Sequence, residues 1–251
     1  MSGFVHLHVH SDYSALDGAC KVGDLVEKAA AYGMPALALT DHGVLSGAVQ
    51  FYQKAVKAGV KPILGLEAYV VEDRLHKDRQ SEERWHLTLL ASTNEGYQNL
   101  LRLGSRAFLE GYYIKPRVDY ELLQQYADGL ICLSGCPTGR LSKSLERGQK
   151  EDARREVERL CGLFGRENVY IEIQETGVPD LEGVPEAVAE LAREVGLPLV
   201  ATNDIHYLEH KDAPAHDVLL CIQTGSRLSE EKRLRFSSEE FYFKSEEEMR
   251  Q

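Results

Sequence analysis

Three times in this chain a helix stops and a strand starts on the same two residue types, glycine followed by proline. The junctions are Gly33-Met34-Pro35, Gly59-Val60-Lys61-Pro62 and Gly196-Leu197-Pro198. Glycine takes the left-handed conformation that closes a helix, and proline then prevents the helix from resuming. Such punctuation demands alternating helices and strands. The apolar runs agree: residues 4–9, 35–40, 62–71, 86–91, 129–134, 168–174 and 197–202 are short, mostly apolar and rich in Val, Ile and Leu. Strands buried on both faces of a parallel sheet have this composition. Amphipathic helices are expected between them at 22–32, 152–164 and 185–195, the last opened by Pro185, which suits a first helical turn. The pattern predicts an α/β fold, with a closed or nearly closed seven-stranded β/α barrel preferred to an open doubly wound sheet. The polar connection at 72–84 is expected to be an exposed loop. Residues 1–223 form the barrel in this reading, and the charge-rich stretch 224–251 is a connection to something further.

The opening run reads His6-Leu7-His8-Val9-His10. Strand alternation puts the three histidines on one side, with Phe4. A lone strand histidine is usually a satisfied core residue, but each of three in an apolar setting needs its own partner. Imidazole is also the commonest metal ligand, and residues two apart on a strand can converge on one ion. The same residue types recur at other strand ends: Asp41-His42, Glu67, Cys136 and Asp204-Ile205-His206. In β/α barrels, chemistry gathers at the C-terminal ends of the strands, so residues scattered in sequence can meet there. His86 begins its strand and fits only if that strand runs antiparallel to the one before it. Asp41 is expected to orient the His42 ring rather than bind an ion. Lys115 and Arg117 are candidates for phosphate contact, Arg117 because its planar fork matches phosphate oxygens. His76, His210 and His216 are read as unrelated to metal, and Cys132 as core.

Composition limits the function. The five cysteines show no C-x-x-C spacing, so neither a zinc finger nor a redox pair is indicated. Such thiols stay reduced in the cytosol, and with no membrane-length apolar run and no secretory signal the chain reads as cytoplasmic, with no membrane partner. A net charge of −11 argues against gripping a nucleic-acid backbone unaided, since that needs Lys and Arg to displace counterions. No P-loop, G-x-G-x-x-G or G-x-S-x-G motif occurs.

The segments HLHVHSDYSALDGA, ALTDHG, GLEAYV, HLTLLA, SGC and TNDIHY, in this order, resemble the PHP (polymerase and histidinol phosphatase) family. EGYYIKPRVD and EEFYFKSEEEM are similar to its polymerase branch, the N-terminal PHP domains of bacterial DNA polymerase III alpha subunits. The resemblance covers essentially the whole chain. It implies the family's distorted seven-stranded barrel and nine metal ligands: His8, His10, Asp17, His42, Glu67, His86, Cys136, Asp204 and His206. None is missing. His6 stands where the family often has Asp and is left as a supporting or structural residue. The implied cofactors are three divalent ions, with Zn²⁺ favoured by the imidazole, carboxylate and thiolate mix and Mn²⁺ or Fe²⁺ also suited. The implied activity is phosphodiester hydrolysis at the 3′ end of DNA, a 3′–5′ proofreading exonuclease, with Glu67, Asp204 and His206 catalytic and Glu67 bridging. Partners would be the remaining polymerase domains and a separate proofreading subunit. The alternatives are a metal-stabilised docking module and a free-standing phosphatase of the histidinol phosphatase type.

Overall fold

The computed structural model describes residues 3–15, 17–78 and 83–251, so part of the expected loop at 72–84, residues 79–82, lies outside the described residues. In chain order the elements are α1 (Val22–Ala31), β1 (Ala36–Leu39), α2 (Ala48–Lys57), β2 (Lys61–Val70), β3 (Trp85–Ala91), α3 (Asn94–Leu109), β4 (Arg117–Val118), α4 (Tyr120–Gln125) and β5 (Leu130–Leu133). There follow α5 (Arg140–Glu146), α6 (Lys150–Phe164), β6 (Val169–Ile173), α7 (Val184–Val195), β7 (Leu199–Ala201), α8 (Ala213–Thr224) and α9 (Glu246–Met249). No described helix is long and apolar enough to cross a membrane.

The strands form one curled, mixed sheet in the order β1-β2-β3-β5-β6-β7, with β4 beside the end of β2. β3 runs antiparallel to both of its neighbours, β2 and β5. The β1–β2, β5–β6 and β6–β7 pairs are parallel. The three glycine junctions behave as their sequence predicts: Gly33, Gly59 and Gly196 have φ of 66°, 74° and 66°.

The opening run is not a regular strand. It lies between β1 and the stretch after β7 and is held to each side by isolated bonds. Ala38 N donates to His6 O (3.0 Å) and Thr40 N to Val9 O (2.9 Å), while His10 N donates to Ile205 O (2.8 Å) and Ile205 N to His8 O (3.2 Å). This segment therefore spans the seam between the sheet's two edges, and the seventh strand of the sheet is β4 instead. Inside the curl, Ala38, Leu90 and Leu133 pack with Leu7, Ile63, Ile131, Tyr170 and Val200, an apolar layer drawn from nearly every strand. Outside it, α3, α4, α6 and α7 cover β2, β3, β5 and β6, and a second cluster joins α1 and α2 to β1.

Part of the stretch after residue 223 packs back onto the fold. Asn203 Nδ2 donates to Glu240 O (2.7 Å) and Tyr242 O (2.8 Å), and His206 N donates to Phe241 O (2.8 Å). Phe243 is fully buried in the cluster that holds α1 and α2. Phe241 and Phe243 are thus buried against residues that precede 223.

Candidate metal centre

Each parallel strand ends at the same side of the sheet, and β3, being reversed, starts there. His42 follows β1, Glu67 lies toward the end of β2, and Cys136 follows β5. Asp204 and His206 follow β7, and His86 opens β3 opposite Tyr69. The seam segment adds His8 and His10, and the loop after it adds Asp17. That loop folds tightly: Ala19 N donates to His206 O (2.7 Å), and a Cβ on Gly18 would stand 2.0 Å from Ser11 O. Gly135, at φ 93°, is held the same way, since a Cβ would meet His86 O at 2.2 Å. Both positions admit only glycine, and they set Asp17 and Cys136 beside the histidines. Asp204 itself adopts φ 50°, a left-handed conformation that Asp tolerates better than most side chains.

The nine side chains form one cluster linked by pairwise contacts, with Glu67 touching five of the others. Glu67 Oε1 lies 2.9 Å from His86 Nδ1, 3.1 Å from His8 Nε2 and 3.5 Å from Cys136 Sγ. Glu67 Oε2 lies 2.5 Å from His42 Nδ1 and 3.3 Å from His10 Nε2. Asp204 Oδ1 stands 3.1 Å from His10 Nε2 and 3.3 Å from His8 Nε2. Asp17 reaches His42 Nε2 at 3.0 Å and His206 Nε2 at 3.6 Å. Three overlapping groups have the spacing to hold an ion: His8, His10 and Asp204; His10, His42 and His206; His42, Glu67 and His86.

The electrostatics are those of a site short of positive charge. Burial would raise the Glu67 and Asp204 carboxyls, but the surrounding imidazoles hold both below the usual carboxylate range. Burial would likewise lower His8 and His42, yet Asp204, Glu172 and Glu67 raise His8 well above its ordinary value, and Glu67 and Asp17 raise His42 to about 10. His10 falls to about 3, through burial and then the adjoining His42 and His206. Burial, Glu67 and Asp204 push the Cys136 thiol well up, so a thiolate there requires a cation beside it.

This donor set fits divalent cations. Among the described residues, no Lys or Arg forms an ion pair with Asp17, Glu67 or Asp204, whose side-chain contacts are to histidines and, for Glu67, also Cys136. Buried carboxylates need such compensation. His8 Nε2, His42 Nδ1 and Glu67 Oε2 are buried without a hydrogen-bond partner although other donors and acceptors stand close by. Their contacts lack hydrogen-bond alignment, as expected of lone pairs aimed at a shared point.

Some expectations from the sequence do not survive. Strict alternation would set His6 beside His8 and His10, but it takes the structural place left to it: its Nε2 bonds Lys244 O (2.7 Å) and its ring packs between Phe4 and Phe243. The irregular backbone of the seam breaks the strict alternation. Asp41 does not orient His42. It accepts from Ser11 N and Ser14 Oγ, and Ser14 in turn bonds His10 Nδ1 (3.1 Å). Arg117 is fully buried and donates to the carbonyls of Gly111, His76 and Arg74, so its fork is committed to the backbone and does not face a phosphate. Lys115 is half-buried, 5.3 Å over the Tyr69 ring, which lies against His42 and His86. His216 bonds the Asp17 carbonyl (2.8 Å) and packs against His206, supporting the site without belonging to it.

Sequence reading also missed Glu172. It lies on β6, 2% exposed, 2.7 Å from His8 Nδ1, and accepts from Thr202 and Gln174. A carboxylate on the far nitrogen of a ligating imidazole sets its tautomer. Its alternation with Val169, Ile171 and Ile173 carried a signal: a Glu inside an apolar run.

Comparisons with known proteins follow the same line. The family model of the PHP domain matches residues 6–176. DNA polymerase III subunit alpha of Borreliella burgdorferi is 45% identical over 251 residues, covering 99% of this chain and 22% of that relative. The same subunit of Thermus aquaticus is 47% identical over 253 residues, covering 98% of this chain and 21% of its own length. The chain therefore spans about a fifth of the relatives it matches. Among solved structures, a protein of Bifidobacterium adolescentis assigned as a metal-dependent phosphoesterase shares the fold at TM-score 0.50 and 14% identity, over 80% of this chain and 87% of its own.

Proposed function

The chain belongs to the PHP domain family, and from that premise we propose that its cluster is a three-ion phosphoesterase centre serving a replicative DNA polymerase as a 3′–5′ proofreading exonuclease. The observation that carries this is the trio of overlapping ligand groups, which draw on seven of the nine converging side chains. With Asp17 and Cys136 beside them the donors number nine, enough to serve three ions. The mix of imidazole, carboxylate and thiolate suits Zn²⁺, with Mn²⁺ or Fe²⁺ as substitutes. When bound, such ions supply a hydroxide nucleophile near neutral pH and neutralise charge on the reacting phosphate.

The residues divide the remaining work. Glu67 presents Oε1 to His8, His86 and Cys136 and Oε2 to His10 and His42, so its carboxylate would help hold more than one ion. His206 bonds the Asp204 carbonyl through Nδ1 (2.7 Å), leaving Nε2 facing the cluster beside Asp17. Glu67, Asp204 and His206 are the catalytic residues in this reading. Support for a polymerase setting comes from the names of the relatives, all DNA polymerase III subunit alpha. The net charge of −11 leaves DNA capture to basic surfaces of other domains, with a separate proofreading subunit as a further partner.

The test is digestion of a 3′-labelled single strand by the chain, and by a full-length polymerase carrying it, after stripping and reloading with Zn²⁺ or Mn²⁺. Metal-dependent release of 3′ mononucleotides is expected. A full-length protein that binds the ions but leaves the label intact would overturn the exonuclease reading.

A further inference from the structure

We infer that Arg235 is the positioning residue that grips the substrate phosphate beside the cluster; this rests on the phosphoesterase reading above. A cavity of about 270 Å³ opens over the ligands Asp17, His42, His86, Asp204 and His206. One side of its wall is Arg235, Phe236 and Ser237, from the segment after α8. Among the described residues lining this cavity, Arg235 is the one arginine or lysine.

The segment is anchored on both sides of Arg235. Arg233 forms a fork to Asp217 on α8, at 2.5 and 2.6 Å. Phe236 sets its ring edge-on to His206 (5.0 Å), His216 (4.8 Å) and Phe241 (4.5 Å). Arg235, between these anchors, is exposed, and among the described residues its guanidinium forms no hydrogen bond or ion pair. A guanidinium carried between two anchored residues at the mouth of a carboxylate-rich site, within the field of Asp217 but in no hydrogen bond or ion pair, is suited to two oxygens of one phosphate.

The same strip also lines a second cavity of about 440 Å³, with His216, Asp217 and Ser238.

The test compares Arg235→Gln and Arg235→Lys with wild type. Binding of inorganic phosphate to the Zn²⁺- or Mn²⁺-loaded chain is measured by calorimetry, bound metal by elemental analysis, and KM and kcat by release of a 3′ label in the full-length polymerase. Arg235→Gln should weaken phosphate binding about tenfold to a hundredfold with metal content unchanged, since one charge-assisted fork is lost. KM should rise more than kcat falls, and Arg235→Lys should recover part of the loss as a point charge. Unchanged phosphate affinity in Arg235→Gln, or a loss that tracks lost metal, would overturn the assignment. Wild-type phosphate binding that depends on Arg235 without label release would leave Arg235 in place and defeat the exonuclease reading. Equal label release and equal phosphate affinity in wild type and Arg235→Gln would do the reverse.

Discussion

Replacing Arg117 with Met separates a structural guanidinium from a phosphate-binding one. Arg117 is fully buried, and its Nε, Nη1 and Nη2 donate to Gly111 O (2.7 Å), His76 O (2.8 Å) and Arg74 O (2.7 Å). These bonds tie the chain after β2 to the turn before β4. Met keeps much of the stem's volume and removes every donor, so the carbonyls lose their partners in a water-poor setting. Hydrogen bonds to charged groups are worth about 1.5–3 kcal/mol each, and the terms overlap rather than add. Losses above about 5 kcal/mol are exceptional for one substitution, so about 3–5 kcal/mol is expected. For a domain of this size each kcal/mol moves Tm by about 2–4 °C, giving a fall of roughly 6–20 °C. Urea unfolding followed by circular dichroism, with an unchanged m-value, measures it directly. A loss below about 1 kcal/mol would refute the structural role. Weakened phosphate binding at unchanged stability would restore the role that sequence alone suggested for this residue.

Three further outcomes are expected. Phe243→Ala should cost about 3–5 kcal/mol in thermal or urea unfolding, because the ring is fully buried among α1, α2 and His6; a loss under about 1 kcal/mol would mean that the stretch after 223 is only loosely attached. Asp204→Asn should lower bound metal and cut 3′ release by about a hundredfold or more while circular dichroism stays native; a large fall in Tm with no wild-type hydrolysis would make the cluster structural. Glu156 is held above the usual carboxyl range by burial, against the opposing Tyr120 bond and Arg140 and Arg159 charges. A carboxyl raised in the folded state contributes stability that is present at low pH and is lost as pH rises from the unfolded carboxyl range through the higher folded value. Glu156→Gln should therefore match wild type near pH 4 and unfold at higher urea at pH 7; a variant less stable than wild type at pH 7 contradicts the sign.

The sequence by itself determined the features that depend on short stretches of chain. Gly33, Gly59 and Gly196 announce helix ends through a backbone conformation that other residues rarely adopt, and the following prolines announce strands. The family motifs name His8, His10, Asp17, His42, Glu67, His86, Cys136, Asp204 and His206, and composition alone marks such residues as costly to bury without a shared purpose. The position of His86 at a strand start even implies the reversed β3, since a ligand at the wrong end of a parallel strand would face away from the rest.

Tertiary structure decided whatever depends on which distant segments meet. The seam segment lacks a ladder because its bonds alternate between β1 and the stretch after β7, and that irregular path sends His6 to Lys244 while His8 and His10 reach Glu67. Glu172 finds His8 across 164 positions of sequence, and Asn203 finds Tyr242 across 39. No periodicity encodes such pairings, which arise only when the sheet curls. The same reason exchanges the arginines. Arg117 sits in a motif beside Lys115 and reads as a phosphate ligand, yet packing surrounds it with carbonyls. Arg235 sits in a charge-rich stretch that carries no local signal, and the anchors at Asp217 and His206 place it on the wall over the cluster. Residue type sets what a side chain can bind, but burial and neighbours decide whether it is free to bind it.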